Sequence, residues 1–303
     1  MANSRPGNQL TILFVIILLV GSFAQIVKQP TAAEGQFRIS VLDIGQGDAI
    51  LLDTPHGQHI LVDSGPLADT VGVLGRYLTS PHEFRLVIAS HNHSDHIGGF
   101  PAILREYATQ EVWMSGSIST TAVYTKWLQA VKDSQAKVRL VSTGMQEVID
   151  GLTIDVVHPM STMEGIRLEQ EHDSTVAVKV SYGAVSILLT GDMAENHEAD
   201  MLSKDRAILG ATILKVAHHG SKYGTSDTFL EAVHPQVAVI SVGAGNKFGH
   251  PHQETLDRLA KSAVPVYRTD QNGTVQFTTD GARLWVRPER GKKVEVDIVG
   301  GQR

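Results

Sequence analysis

The sequence predicts a protein of the α+β or α/β class: two β-sheets with helices packed outside them, a four-layer αββα arrangement preceded by one N-terminal apolar helix. Two observations carry that prediction. Short apolar runs of strand length come first in close succession, then alternate with helical patterns. The chain has 303 residues and is 42% hydrophobic, enough to bury a large core in one or two domains.

The N-terminal helix rests on residues 10–27, an uncharged and mostly apolar run between Arg5 and Lys28. Its length sits at the lower edge of what spans a bilayer, and Ser22-Phe23-Ala24 is an acceptable small-x-small cleavage site. Residues 1–35 are therefore expected to be a signal peptide or membrane anchor plus linker. The anchor is favoured because Arg5 is the only charged side chain ahead of the run. Both readings place the body outside the cytoplasm.

Residues 36–288 read as one domain and residues 289–303 as a basic C-terminal tail. Strands are expected at 38–44 and 49–53, joined by Gly-Gln-Gly-Asp, and at 59–62 after Pro55-His56-Gly57. A helix at 70–78, a buried strand at 86–90, a helix at 98–107, a strand at 111–114 and a helix at 121–133 follow. Further strands fall at 138–141, 153–157, 176–181 and 185–189. A helix at 195–203, a strand at 212–216, a helix at 226–233 and a strand at 237–242 continue the alternation. A helix at 252–262 and strands at 264–268 and 275–278, the last entered through Asn272-Gly273, complete it.

Composition excludes several chemistries. No cysteine means no disulfide framework, no Cys-based zinc finger, no iron–sulfur cluster and no thiol nucleophile. A net charge of −6 argues against a broad nucleic-acid-coating surface. The 14 histidines are the unusual feature.

Three histidines and an aspartate fall within six residues, His91-Asn92-His93-Ser94-Asp95-His96, where a strand gives way to Gly98-Gly99. Neutral imidazoles and a carboxylate at one strand end can converge on zinc, manganese or iron. The pattern resembles the metallo-β-lactamase superfamily. That resemblance implies His91 and His93 at a first metal, and Asp95 and His96 at a second. It implies a carboxylate shared by both metals, assigned to Asp192 in Gly191-Asp192, and a last histidine in His218-His219-Gly220-Ser221. His218 is expected to be that ligand, with His219 behind it or facing substrate. The superfamily's third histidine for the first metal is His172 or absent, with His158 as rival. Asp63, in Val-Asp-Ser-Gly, matches the family's first motif and is expected to orient the metal loop.

A narrower resemblance covers nearly residues 37–280. Residues 42–49 (LDIGQGDA), 188–192 (LLTGD), 214–221 (LKVAHHGS), Gly249-His250-Pro251 and Tyr267-Arg268-Thr269-Asp270 are similar to the C-terminal hydrolase domain of the DNA-uptake channel ComEC and its stand-alone relatives. Two departures stand out. This chain has at most one apolar span, so the channel part is missing and transport is not implied. His93 also stands where the ComEC domain commonly has Asp.

The resemblance implies a hydrolase using two divalent metal ions, Zn or Mn, with Asp95, Asp192 and His219 as its catalytic groups. The expected substrate is a phosphodiester, possibly single-stranded DNA, met outside the cytoplasm by a protein held to the membrane through its N-terminal segment. A hydrolase of small phosphoesters or of wall phosphocholine is one alternative, and a non-catalytic metal-binding module another. Lys215 and Lys222 are read as phosphate-neutralising or solvated lysines. His250 and His252 face substrate or belong to a helix N-terminal turn. His56, His82, His197 and His234 are read as surface or turn residues.

Overall fold

The structure, a computed structural model, describes residues 35–78 and 82–298. These belong to a unit beginning at Thr31; the other unit, Met1–Pro30, lies outside the described residues, as does the expected N-terminal helix with its signal or anchor role. Among the described residues no helix is long and apolar enough to cross a membrane.

Strands β1 (Phe37–Val41), β2 (Ile50–Asp53), β3 (His59–Val62), β4 (Glu83–Phe84), β5 (Leu86–Ile88), β6 (Ala108–Thr109), β7 (Glu111–Met114), β8 (Lys137–Leu140) and β9 (Gln146–Ile149) lie in the first half. The second half holds β10 (Leu152–His158), β11 (Ala177–Tyr182), β12 (Val185–Leu189), β13 (Ile213–Lys215), β14 (Val237–Ile240), β15 (Val266–Arg268), β16 (Val275–Thr279), β17 (Leu284–Pro288) and β18 (Val294–Val296). One sheet runs β18-β17-β16-β1-β2-β3-β5-β7-β8 and the other β15-β14-β13-β12-β11-β10-β9. Each is mixed: antiparallel through the hairpins, then parallel across β3-β5-β7-β8 and β12-β13-β14-β15.

Period-two patterning builds the layers. Ile60 and Val62 point into the cluster between the sheets while Leu61 points outward, and Leu86, Val87 and Ile88 alternate likewise. On the second sheet Val237 and Val239 face inward and Ala238 and Ile240 outward. Helices α1 (Thr70–Tyr77), α2 (Ser94–Ile97), α3 (Phe100–Glu106) and α4 (Ala122–Ser134) come from the first half of the chain; of these α1, α3 and α4 cover the outer face of the first sheet with Leu74, Ile103 and Trp127. Helices α5 (Glu195–Asp205), α6 (Asp227–Val233) and α7 (Gln253–Lys261) cover the second with Met201, Phe229 and Leu259, and a short α8 (Thr269–Asn272) follows. Three apolar clusters between four layers give the expected αββα arrangement.

Three details differ from the sequence expectation. The helix expected at 98–107 begins only at Phe100, and Gly98 and Gly99 separate it from an unexpected short α2, because backbone packs against both: a Cβ on Gly98 would lie 2.2 Å from the Pro66 carbonyl oxygen. Strands β9 and β17, and the two-residue β4 and β6 that pair with each other, were not expected; β9 is a half-exposed edge strand without an apolar run. Residues Val294–Val296 in the basic tail pair with β17 as the edge of the first sheet.

Candidate metal centre

The site forms where parallel strands end, the position at which open α/β sheets leave a crevice. After β5 comes the turn carrying His91, His93, Asp95 and His96; after β12, Asp192; after β13, His218 and His219. His172 sits in a 3₁₀ turn, Glu171–Ser174, just before β11.

Three donor groups result among the described residues; one is Asp48, Asp63 and His96, fully buried behind the loop, and the other two share a residue. His91, His93, His172 and Asp192 each offer a ligand atom within 4.8 Å of the others, and so do Asp95, His96, Asp192 and His219. Asp192 belongs to both. His91 Nε2 lies 3.0 Å from His93 Nδ1 and 4.0 Å from Asp192 Oδ2. His96 Nε2 is 3.3 Å from Asp192 Oδ2, and His219 Nε2 is 3.5 Å from it and 3.4 Å from Asp95 Oδ2.

Asp63 positions the metal loop as expected. Its φ of 59° turns the carboxylate back, so that it accepts from Ser90 N–H (2.8 Å), the Ser90 hydroxyl (2.7 Å) and His96 Nδ1 (2.8 Å). The Asp63 bond turns His96 Nε2 towards the cluster; likewise His219 Nδ1–H donates to the Ser241 carbonyl at 2.9 Å and presents Nε2. Below the loop, Asp48 N–H donates to the Asp95 carbonyl, and a Cβ on Gly47 would lie 2.1 Å from that oxygen. Only glycine, here at φ 114°, allows the two loops to come so close.

The donors fit metal. His96 Nε2, His219 Nε2, His172 Nδ1 and Asp192 Oδ1 are buried with no hydrogen-bond partner, a costly arrangement for polar atoms unless a ligand completes them. An all-imidazole and carboxylate donor set suits zinc, manganese or iron.

Residues 42–244 match the metallo-beta-lactamase superfamily. The chain belongs to that superfamily. It is 29% identical over 264 residues to ComE operon protein 3 of Bacillus subtilis (strain 168), covering 81% of this chain and 33% of that protein. It is 27% identical over 268 residues to Competence protein ComA of Neisseria gonorrhoeae, covering 86% and 35%. The chain thus spans about a third of the length of these curated relatives, which bear out the resemblance to ComEC-type proteins. Among solved structures, the metallo-beta-lactamase fold protein YhfI from Bacillus subtilis matches with a TM-score of 0.50 at 14% identity, covering 77% of this chain and 96% of that one, a likeness of fold.

Within this metallo-β-lactamase centre, the two histidines of the HHGS motif are placed opposite to the expectation. His219 is the one among the donor atoms, while His218 lies outside all three groups, its Nε2 3.7 Å from Asp192 and its side chain 28% exposed. The cause is local. Both residues are left-handed (φ 47° and 54°), so the turn sends His219 inward beneath Ser241 and His218 to the rim between His172 and His250. His172 joins His91 and His93; its rival His158 is buried elsewhere, with Nδ1 2.5 Å from the Thr175 carbonyl.

Lys215 also departs from expectation. It is neither solvated nor aimed at substrate: its Nζ is buried against Asp48 Oδ2 and donates to the Val216 carbonyl. His197 is buried rather than superficial, 3.0 Å from Asp173. His252 precedes α7 and accepts the Lys222 N–H, whereas His250 lies 5.5 Å, ring to ring, from His218. Asp48, to which the LDIGQGDA motif assigns no role, is the buried partner of Lys215 and lies 3.5 Å from His219 Nδ1; a carboxylate in a Gly-Gln-Gly-Asp turn is its only signal in the sequence.

Electrostatics divide the donors into two kinds. Burial drives the pKa of His91 well below the ordinary histidine value and that of His172 down to about 4, with neighbouring imidazoles adding to both. Burial acts the same way on His96 and His219, but carboxylates outweigh it. Asp192 and Asp63 hold His96 well above the usual range, and Asp192 and Asp95 raise His219 to about 9. Burial opposes ionisation of Asp192, yet His219 and His96 hold its carboxyl well below the usual carboxylate range. Without metal, then, protons on His96 and His219 balance the shared carboxylate.

Proposed function

We propose that the chain is a metal-dependent hydrolase that cleaves phosphodiesters outside the cytoplasm with two divalent cations, zinc or manganese. The observation that carries this reading is Asp192 shared between two four-residue donor groups, four of whose buried atoms lack a hydrogen-bond partner. His91, His93, His172 and Asp192 would hold one cation, and Asp95, His96, His219 and Asp192 the other. Paired cations lower the pKa of a water molecule and stabilise charge on attacking and leaving oxygens.

The protein's own groups supply the rest. His96 and His219 release their protons when the site is loaded, because a ligating nitrogen must be bare. Asp95, 27% exposed against 2% for Asp192, is the more open of the two carboxylates in these groups; against the cost of burial, His219 and His96 keep it ionised, so that it can accept a hydrogen bond from an incoming water and orient it. His218, which burial holds uncharged at neutral pH, stands at the rim to hydrogen-bond a phosphoryl oxygen.

The phosphodiester is supported by the likeness to the ComEC hydrolase domain. Export, with attachment to the membrane, is supported by the apolar run at residues 10–27. The test is turnover of bis-p-nitrophenyl phosphate and of labelled single-stranded DNA, with manganese and with zinc. Cleavage of both substrates is expected. If neither is cleaved while a carboxyl ester or a lactam is, the phosphodiesterase reading is overturned.

A further inference from the structure

Two exposed aromatic rings stand beside the centre with no part in holding its donors. Tyr223 is 67% exposed and Phe248 51%. A lysine accompanies each: Lys222 Nζ lies 5.5 Å from the Tyr223 ring centroid, and Lys247 Nζ 5.2 Å from that of Phe248.

A line of rings joins Phe248 to the donor cluster, and a backbone hydrogen bond ties the Tyr223 segment to the same line. Phe248 stacks on His250 with centroids 5.8 Å apart at 25°, and His250 is 5.5 Å from His218 and 6.4 Å from His219. His252, 4.9 Å from His250, accepts the backbone N–H of Lys222, the residue before Tyr223.

The backbones beneath these rings are held firmly. Asn246 Oδ1 accepts the N–H groups of Phe248 and His250, and its Nδ2 donates to the Gly243 and His250 carbonyls. On the other side the Tyr223 carbonyl accepts the Glu195 N–H, and buried Glu198 accepts the N–H groups of Thr225 and Ser226. Hydrogen-bonded loops presenting exposed rings, each with a flexible lysine over it that a base and a phosphate can draw aside (Lys222 from Glu254, 3.8 Å away), match the needs of an unpaired nucleotide strand. A ring stacks on a base of any sequence, and a lysine meets the adjoining phosphate.

We propose that Tyr223 and Phe248 are stacking platforms for the bases of a single-stranded nucleic acid whose phosphodiester lies at the centre, with Lys222 and Lys247 on its neighbouring phosphates. This rests on the phosphodiesterase reading above. It makes the centre selective against duplex, whose base faces are already stacked on one another.

The test compares kcat/KM for two single-stranded oligodeoxynucleotides of one length, one carrying thymine throughout and one abasic on both sides of the scissile phosphate. The wild type is expected to favour the base-bearing strand by about 10-fold or more. Tyr223→Ala and Phe248→Ala should each reduce that preference, the double variant should bring it near unity, and Tyr223→Trp and Phe248→Trp should keep it. Because the readout is a ratio within one protein, loss of folded or metallated enzyme does not move it. A wild-type ratio near one, or a ratio unchanged in the double variant, overturns the proposal. If bis-p-nitrophenyl phosphate is cleaved but bases make no difference, only the platforms are lost. If no phosphodiester is cleaved at all, the platforms fail together with the reading they rest on.

Discussion

Lys215 Nζ lies 2.9 Å from Asp48 Oδ2, and neither side chain is more than 2% exposed. The pair joins the end of β13 to the loop that supports the Asp95 backbone. Removing one partner from a buried ion pair strands the other charge and typically costs about 3–5 kcal/mol. Lys215→Met should therefore lower stability by about that much in urea unfolding. Lys215→Met combined with Asp48→Leu should recover a large part of the loss. A single variant as stable as the wild type would show that the pair contributes little.

Asp192→Asn removes the charge common to the two four-residue donor groups. Metal content should fall below that of the wild type, and turnover of bis-p-nitrophenyl phosphate by at least about 100-fold, the upper end of what replacing a mere supporting group costs. Elemental analysis alongside kinetics checks it. Full metal content with full activity would remove Asp192 from the centre.

His218 and His219 are neighbours in sequence but differ in place. His219→Ala deletes a member of a donor group, whereas His218→Ala deletes a rim imidazole. The first variant should bind less metal per chain than the second, as measured by titration with zinc under competition from a chromophoric chelator. The reverse order would reinstate His218 as the ligand.

Stability should fall in acid partly through His158. Burial drives its pKa down to about 4, with His197 adding to the effect, whereas an unfolded histidine titrates near about 6.5. Below about pH 6.5 the unfolded chain binds a proton that the folded one refuses. The contribution is therefore complete above that pH and is lost as pH falls towards about 4. Urea midpoints between pH 7.5 and 4.5 should drop less for His158→Gln than for the wild type, with both proteins stripped of metal. Equal drops would clear His158 of the effect.

The layered fold was legible because strands such as Leu86–Ile88 and Val237–Ile240 are apolar on both faces, as strands between a partner sheet and covering helices must be. The metal loop was legible because four of its donors fall within six residues, where chain connectivity alone keeps them together. His219 was not legible, since the choice between adjacent histidines turns on two left-handed backbone angles that only the folded turn fixes. Lys215 was misread because a lysine at a strand end looks solvated until its partner is known, and Asp48 is remote in sequence. Edge strand β9 escaped notice because an edge buries too little to need an apolar run.

Each sheet supplies part of the donor set: the turn after β5 belongs to the first, while the segments around β11, β12 and β13 that carry His172, Asp192 and His219 belong to the second. A cation held by donors from both sheets would act as a rivet through the sandwich, because shear between the layers would have to stretch donors on both. Rigidity between the layers would then be tied to occupancy at their rim. Amide exchange at Ile154 and Val178, both in the cluster between the sheets, should slow on metal loading although neither belongs to a donor group.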